Sequence, residues 1–116
     1  MFRRPEPRLQ TSGETISLWV KGRQLWQIDR REVLKVEIYK VDLITLDDIR
    51  CDIRFGDPAS MSIVTFSEDH PDWKLLQDWL QILPGFDTNW PHRVVKPAFV
   101  ENRTVVYQAP RRSHEP

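Results

Sequence analysis

From Thr15 onwards, apolar and polar residues alternate with the two-residue period of a half-buried strand. Ile16, Leu18 and Val20 face one way, Ser17, Trp19 and Lys21 the other. Lys21-Gly22 makes a short turn, and Gln24 to Ile28 predicts the second arm of a hairpin in which Gly22 supplies a positive φ. Val33 to Tyr39 is a third strand, with Leu34, Val36 and Ile38 opposite Lys35, Glu37 and Tyr39. Leu43 to Leu46 is a further apolar run, and Asp47-Asp48 reads as a turn. Ile49, Cys51, Ile53 and Phe55 then alternate with Arg50, Asp52 and Arg54 in the most regular strand of the chain. Gly56-Asp57-Pro58 ends it, and Met61 to Phe66 returns as a sixth.

The period lengthens after Ser67, where one amphipathic helix is expected near residues 68 to 83. Ser67 or Asp69 suits its N-cap, and Pro71 is tolerated in the first turn. At 100° per residue, Trp73, Leu75, Leu76, Trp79, Leu80, Ile82 and Leu83 cover half the cylinder; Lys74, Gln77, Asp78 and Gln81 cover the other half. Pro84-Gly85 stops the helix, with Gly85 suited to a left-handed cap. Less regular pieces follow, ending in a β-like run from Arg103 to Tyr107. The aromatics Phe86, Trp90 and Phe99 predict that residues 86 to 107 wrap back onto the core and cover an outer face.

These elements predict an α+β fold. Residues 14–107 form a single globular domain, between a disordered lead at 1–13 and a disordered tail at 108–116. Short connections between strands exclude parallel pairing and leave an antiparallel meander. A helix of about 16 residues, roughly 24 Å long, cannot cover six flat strands. A curled antiparallel sheet or partial barrel is therefore expected, capped by the one amphipathic helix in the C-terminal half.

Over residues 15 to 83 this order of elements resembles the pleckstrin-homology-like fold. The resemblance implies two near-orthogonal antiparallel sheets closed by a C-terminal helix. That fold has seven strands before its helix where this chain shows at most six, and it has no place for the residues after Gly85. The phrases Lys40-Val41-Asp42-Leu43-Ile44-Thr45 and Lys96-Pro97-Ala98-Phe99-Val100-Glu101-Asn102-Arg103-Thr104 also resemble small uncharacterised bacterial proteins. That likeness implies a bacterial family without an assigned activity and transfers no functional residue.

Charge narrows the choice of partner. The chain has 17 basic and 17 acidic residues and no net charge. Yet residues 42 to 78 hold nine acids against Arg50, Arg54 and Lys74, so the middle is six units negative. Such a surface repels a phosphate backbone, which argues against a nucleic-acid partner and for a basic protein partner. No apolar run reaches the roughly 20 residues of a membrane span, and the N-terminus lacks the apolar stretch of a secretory signal. One cysteine, Cys51, on the apolar face of its strand, suits a reducing, cytoplasmic setting and a buried inert thiol.

No catalytic, metal-binding or cofactor-binding constellation stands out: His70, His92 and His114 have no nucleophile beside them in sequence, and the four glycines are isolated. No metal and no cofactor are expected. The row Asp48, Arg50, Asp52, Arg54 reads as a solvent face of cross-strand pairs. Trp73 and Trp79 read as core. Trp19 and Tyr39 lie opposite the apolar faces of their strands, so both are expected as exposed binding aromatics, with Trp90 and Phe99 either beside them or covering them. The leading reading is a non-enzymatic binding or protein-interaction module. The alternatives are a small enzyme using Asp47, Asp48 or His92 in a pocket under the helix, and a self-associating homo-oligomer in which Arg103 to Tyr107 extends a neighbour's sheet.

Overall fold

The computed structural model describes residues 6–43, 46–94 and 103–110, and the side chains among them other than those of residues 42, 43 and 46. The chain is α+β, with two antiparallel sheets and few helices. Strands β1 (Arg8–Ser12), β2 (Thr15–Val20) and β3 (Arg23–Asp29) form a three-stranded meander. A single 3-10 turn, Arg30–Glu32, leads into β4 (Val33–Leu43), β5 (Leu46–Asp57) and β6 (Ser60–Ser67). Helices α1 (Trp73–Leu80) and α2 (Trp90–Val94) follow, and β7 (Thr104–Gln108) closes the series. The second sheet has the order β6-β5-β4-β7, so the last strand returns to lie beside the fourth.

The β2–β3 hairpin forms as its sequence requires. Lys21 and Gly22 both have positive φ, at 50° and 72°, between the paired residues Val20 and Arg23. Two left-handed residues match the twist of the flanking strands, and glycine takes one of them without Cβ strain.

Several expectations change. The lead contains β1, because Leu9 is an apolar residue that buries in the core and pairs with Leu18. Asp47-Asp48 is not a turn: Asp47 pairs with Asp42 and Asp48 with Val41, inside one long β4–β5 hairpin. The sheets do not close into a barrel. The end of the segment expected to cover an outer face, 104 to 107, instead lies in β7, which completes the second sheet through antiparallel pairing with β4. That pairing also uses the Arg103 to Tyr107 run within its own chain. The expected tail begins one residue early, because Gln108 is still in β7.

The helix is half its expected length. Residues 68 to 72 form turns instead, with Ser67 Oγ accepting from the Asp69 N–H at 3.1 Å and His70 O accepting from the Trp73 N–H at 3.0 Å. Asp72 occupies the N-cap position, but its carboxylate serves β1 and makes no cap bond. Gln77, expected on the polar side, is buried with Leu76, Trp79 and Leu80. At 100° per residue it stands 40° from Trp73 and 60° from Leu80, at the margin of the face that meets the sheet.

One core joins the elements. Ile16 and Ile28 from the first sheet, Val36, Ile38 and Ile53 from the second, and Leu76 and Leu80 from α1 are all wholly inaccessible. Burying each of these seven side chains stabilises by about 1.5–3 kcal/mol. Arg30 ties the layers together at the rim: its Nε donates to Trp79 O at 3.3 Å, and its guanidinium lies 4.8 Å from the Trp79 ring centroid.

Candidate functional site

The outward face of the second sheet is a charged network and not a row of solvent-facing pairs. Glu37 on β4 stands opposite Asp52 on β5, and Asp52 opposite Thr65 on β6. Asp52 Oδ1 accepts from Tyr39 Oη at 2.9 Å and from Thr65 Oγ1 at 2.7 Å, while its Oδ2 accepts from Arg103 Nη1 at 3.2 Å. Glu37 pairs with Arg54, and Asp48 accepts from Arg50 Nε at 2.9 Å and from Ser67 Oγ at 2.6 Å. Asp48 and Asp52 are thereby buried and neutralised by neighbours on the same face. Long arginine stems and the approach of β7 exclude the solvent that the sequence pattern promises.

Tyr39 is consequently buried, contrary to expectation. The Arg103 guanidinium lies over its ring at 3.9 Å from the centroid, and burial together with the bond to Asp52 pushes its hydroxyl pKa up. Trp19 is half-buried on the other sheet, and its indole N–H donates to Ser17 Oγ at 2.8 Å. Trp90 packs edge-on against Trp73, with centroids 6.3 Å apart, at the core margin. Phe99 lies outside the described residues. Trp19, Tyr39 and Trp90 make no ring contact with one another.

A cavity lies elsewhere, between the β2–β3 hairpin and β6. It is an open groove of about 500 Å³ walled by Leu18, Trp26, Val64 and Phe66. Trp26 meets Phe66 edge to face at 5.9 Å, and Phe66 meets His70 at 5.5 Å, which fixes the wall. His70 is itself fixed: its Nδ1 accepts from the Asp72 N–H at 3.0 Å, so Nε2 carries the proton toward Pro7 O at 2.9 Å. Glu6 and Asp69 supply the charge at the rim. Asp47, Asp48 and His92 do not line this groove, so it does not gather the groups named for an enzyme.

The border of this groove on the second sheet is an edge. β6 pairs with β5, and among the described residues it has no strand on its other side. Glu68 N donates to Ile49 O at 2.8 Å, which makes 49 and 68 a hydrogen-bonded pair. The register alternates from there, so Ser62, Val64 and Phe66 bond to β5, while Met61, Ile63 and Thr65 direct their N–H and C=O groups outward. Pro58 to Ser67 is the longest stretch of the chain without a charged residue, and it runs between Asp57 and Glu68. Natural sheet edges usually carry a lysine, a proline or a bulge inside the strand. β6 has none of the three: its residues Ser60–Ser67 include neither lysine nor proline, and its register against β5 is unbroken.

The acidic middle of the sequence sorts itself in three dimensions. Asp48, Asp52, Asp72 and Asp78 pair with Arg50, Arg103, Arg8 and Lys74, and Asp47 lies 3.7 Å from Lys40. Asp57, Glu68 and Asp69 remain exposed, with no cation partner among the described residues. They sit at the two ends of β6. Neither the groove nor this edge was marked by aromatic content or motif; the charge-free run flanked by acids was the available signal. No helix among the described residues is long and apolar enough to cross a membrane. Comparison with protein-family models, curated proteins and solved structures finds no match for the chain.

Proposed function

We propose that the protein is a non-enzymatic protein-interaction module that receives a basic partner at the groove between the β2–β3 hairpin and β6. The observation that carries this reading is the placement of Asp57, Glu68 and Asp69 at the ends of an uncharged strand beside an apolar groove. Apolar walls supply affinity by removing surface from water, and the exposed acids select a positive partner and speed its encounter. The pleckstrin-homology-like comparison belongs to the same proposal and is supported by six meander strands in two sheets ahead of α1, although β7 follows the helix. A reducing, cytoplasmic setting in a bacterium fits the buried free thiol of Cys51.

Selection of random peptides displayed on phage against the immobilised full chain tests the reading. Recovered peptides should be rich in lysine and arginine, and their affinity should fall as salt rises from about 0.05 to 0.5 M. Recovery no better than from an unrelated folded protein, or salt-independent affinity, removes it.

A further inference from the structure

We propose that the partner binds by strand addition: an extended segment with basic residues flanking an alternating apolar centre pairs with the free edge of β6. The inference rests on the interaction reading above and specifies its geometry. Met61, Ile63 and Thr65 offer three consecutive outward pairs of N–H and C=O groups, the template an added strand requires. Successive side chains of that strand point to opposite faces of the sheet. On one face they meet Val64 and Phe66 and the groove wall of Leu18 and Trp26. On the other they meet Met61 and Ile63, each about half exposed at 51%. Both sets of side chains therefore find apolar neighbours, which a bare edge with one polar face does not provide.

Charge decides the occupant. A second copy of this chain would pair antiparallel about a two-fold axis. The chain reverses at Pro58-Ala59 and Asp57 pairs back with Ser60, so that pairing brings the Asp57 end of one copy's hairpin beside Glu68 and Asp69 of the second copy. Like charges gathered there repel, and they would meet at both ends of the paired strands. A segment with lysine or arginine at both ends meets Asp57 at one end and Glu68 and Asp69 at the other, with Glu6 at the groove rim.

Amide hydrogen exchange followed by NMR on the full chain tests the geometry. Two synthetic probes are used at millimolar concentration: a capped peptide with two lysines on each side of Val-Thr-Val-Thr-Val, and its counterpart with glutamates for lysines. The basic probe should slow exchange at Met61, Ile63 and Thr65 by about tenfold or more and leave Ser62 and Val64 unchanged, because those already bond to β5. The acidic probe should leave all five unchanged. Ile63→Pro removes one outward N–H without touching the β5 ladder and should abolish protection, whereas Ile63→Ser keeps the N–H and should retain it. A matching backbone spectrum away from β6 shows that each variant folds.

Shifts confined to Trp26 and Phe66 with no edge protection overturn strand addition and leave the groove-binding reading standing. Equal protection by both probes overturns the charge assignment. Edge amides already protected in the free monomer show that the chain covers its own edge, and protection rising with protein concentration alone shows a second copy there; either overturns the proposal. Absence of binding by both probes overturns this mode of binding, while the phage selection judges the broader reading independently.

Discussion

Asp72 grips Arg8 from 64 residues further along the chain: its Oδ2 accepts from Arg8 Nε at 2.8 Å and its Oδ1 from Arg8 Nη2 at 2.7 Å. Oδ2 also accepts from the Leu9 N–H at 2.8 Å, so one carboxylate at the start of α1 holds both the side chain and the backbone of β1. This bidentate arrangement also places Pro7 against His70, and Glu6 at the mouth of the groove. Asp72→Asn should cost about 2 kcal/mol in urea unfolding at neutral pH, with the lost amide exchange protection concentrated in β1.

The same clamp gives stability a dependence on pH. The guanidinium of Arg8 lowers the Asp72 carboxyl to about 2, below its ordinary value of 3.8. A depressed folded pKa stabilises the native state above the unfolded value and loses that contribution as pH falls toward the folded one. The gap between wild type and Asp72→Asn should therefore be full above about pH 5 and shrink between about pH 4 and 2. A gap that is constant across this range in urea titrations contradicts the assignment.

Gln77 is a polar residue placed among apolar ones. Its side chain is buried in the core-facing stripe of α1 beside the Cys51 thiol, a weak partner, and neither Nε2 nor Oε1 has a hydrogen bond of normal geometry among the described residues. Unsatisfied buried amides oppose folding, so Gln77→Met, similar in volume, should raise stability by about 1 kcal/mol. Thermal unfolding of the variant checks this, and a lower midpoint would show that the amide is satisfied in solution.

Cys51 should behave as an inert thiol. It is wholly buried between Ile38 and Phe66 on the core face of β5, and burial pushes its pKa up to about 12. The thiolate is the reactive form, so labelling by a water-soluble disulfide reagent at pH 8 should proceed only through opening of the β4–β5–β6 sheet. The labelling rate should rise with urea in parallel with unfolding. Rapid stoichiometric labelling of the native protein contradicts the placement.

Arg103 connects β7 to the buried acids of β4 and β5. Besides its bond to Asp52, its Nη1 lies 3.7 Å from Glu37 Oε2, and its plane covers Tyr39. Arg103→Ala leaves these carboxylates short of a cation and should cost about 1–3 kcal/mol. Arg103→Lys should recover only part of this, because an ammonium keeps the charge without the planar stacking surface. Urea unfolding of the two variants ranks them; equal losses would show that stacking carries the contact.

Local pattern was a good guide wherever one face of an element meets the core. Ile16, Val36, Ile38, Ile49 and Ile53 are inward as their alternation requires, and the turn at Lys21-Gly22 and the left-handed Gly85 follow from backbone preference. The same reasoning failed for Leu9, whose short strand has no periodic run around it and is fixed by Asp72 from far along the chain. It also failed for Tyr39 and Asp52, because alternation tells which side of a sheet a residue occupies and not whether anything lies over that side.

By itself the sequence determined the strands β2, β3 and β6, the inward faces of β4 and β5, the apolar stripe of α1 and the core-facing placement of Cys51, since each depends on neighbours within a few residues. Tertiary structure decided which acids are cancelled and which are left over. Arg8, Lys40 and Arg103 reach Asp72, Asp47 and Asp52 only after the strands pair and the sheets assemble, while Asp57, Glu68 and Asp69 find no cation among the described residues. Coulomb interaction depends on separation in space, and a sum of charges along the chain carries no such distance.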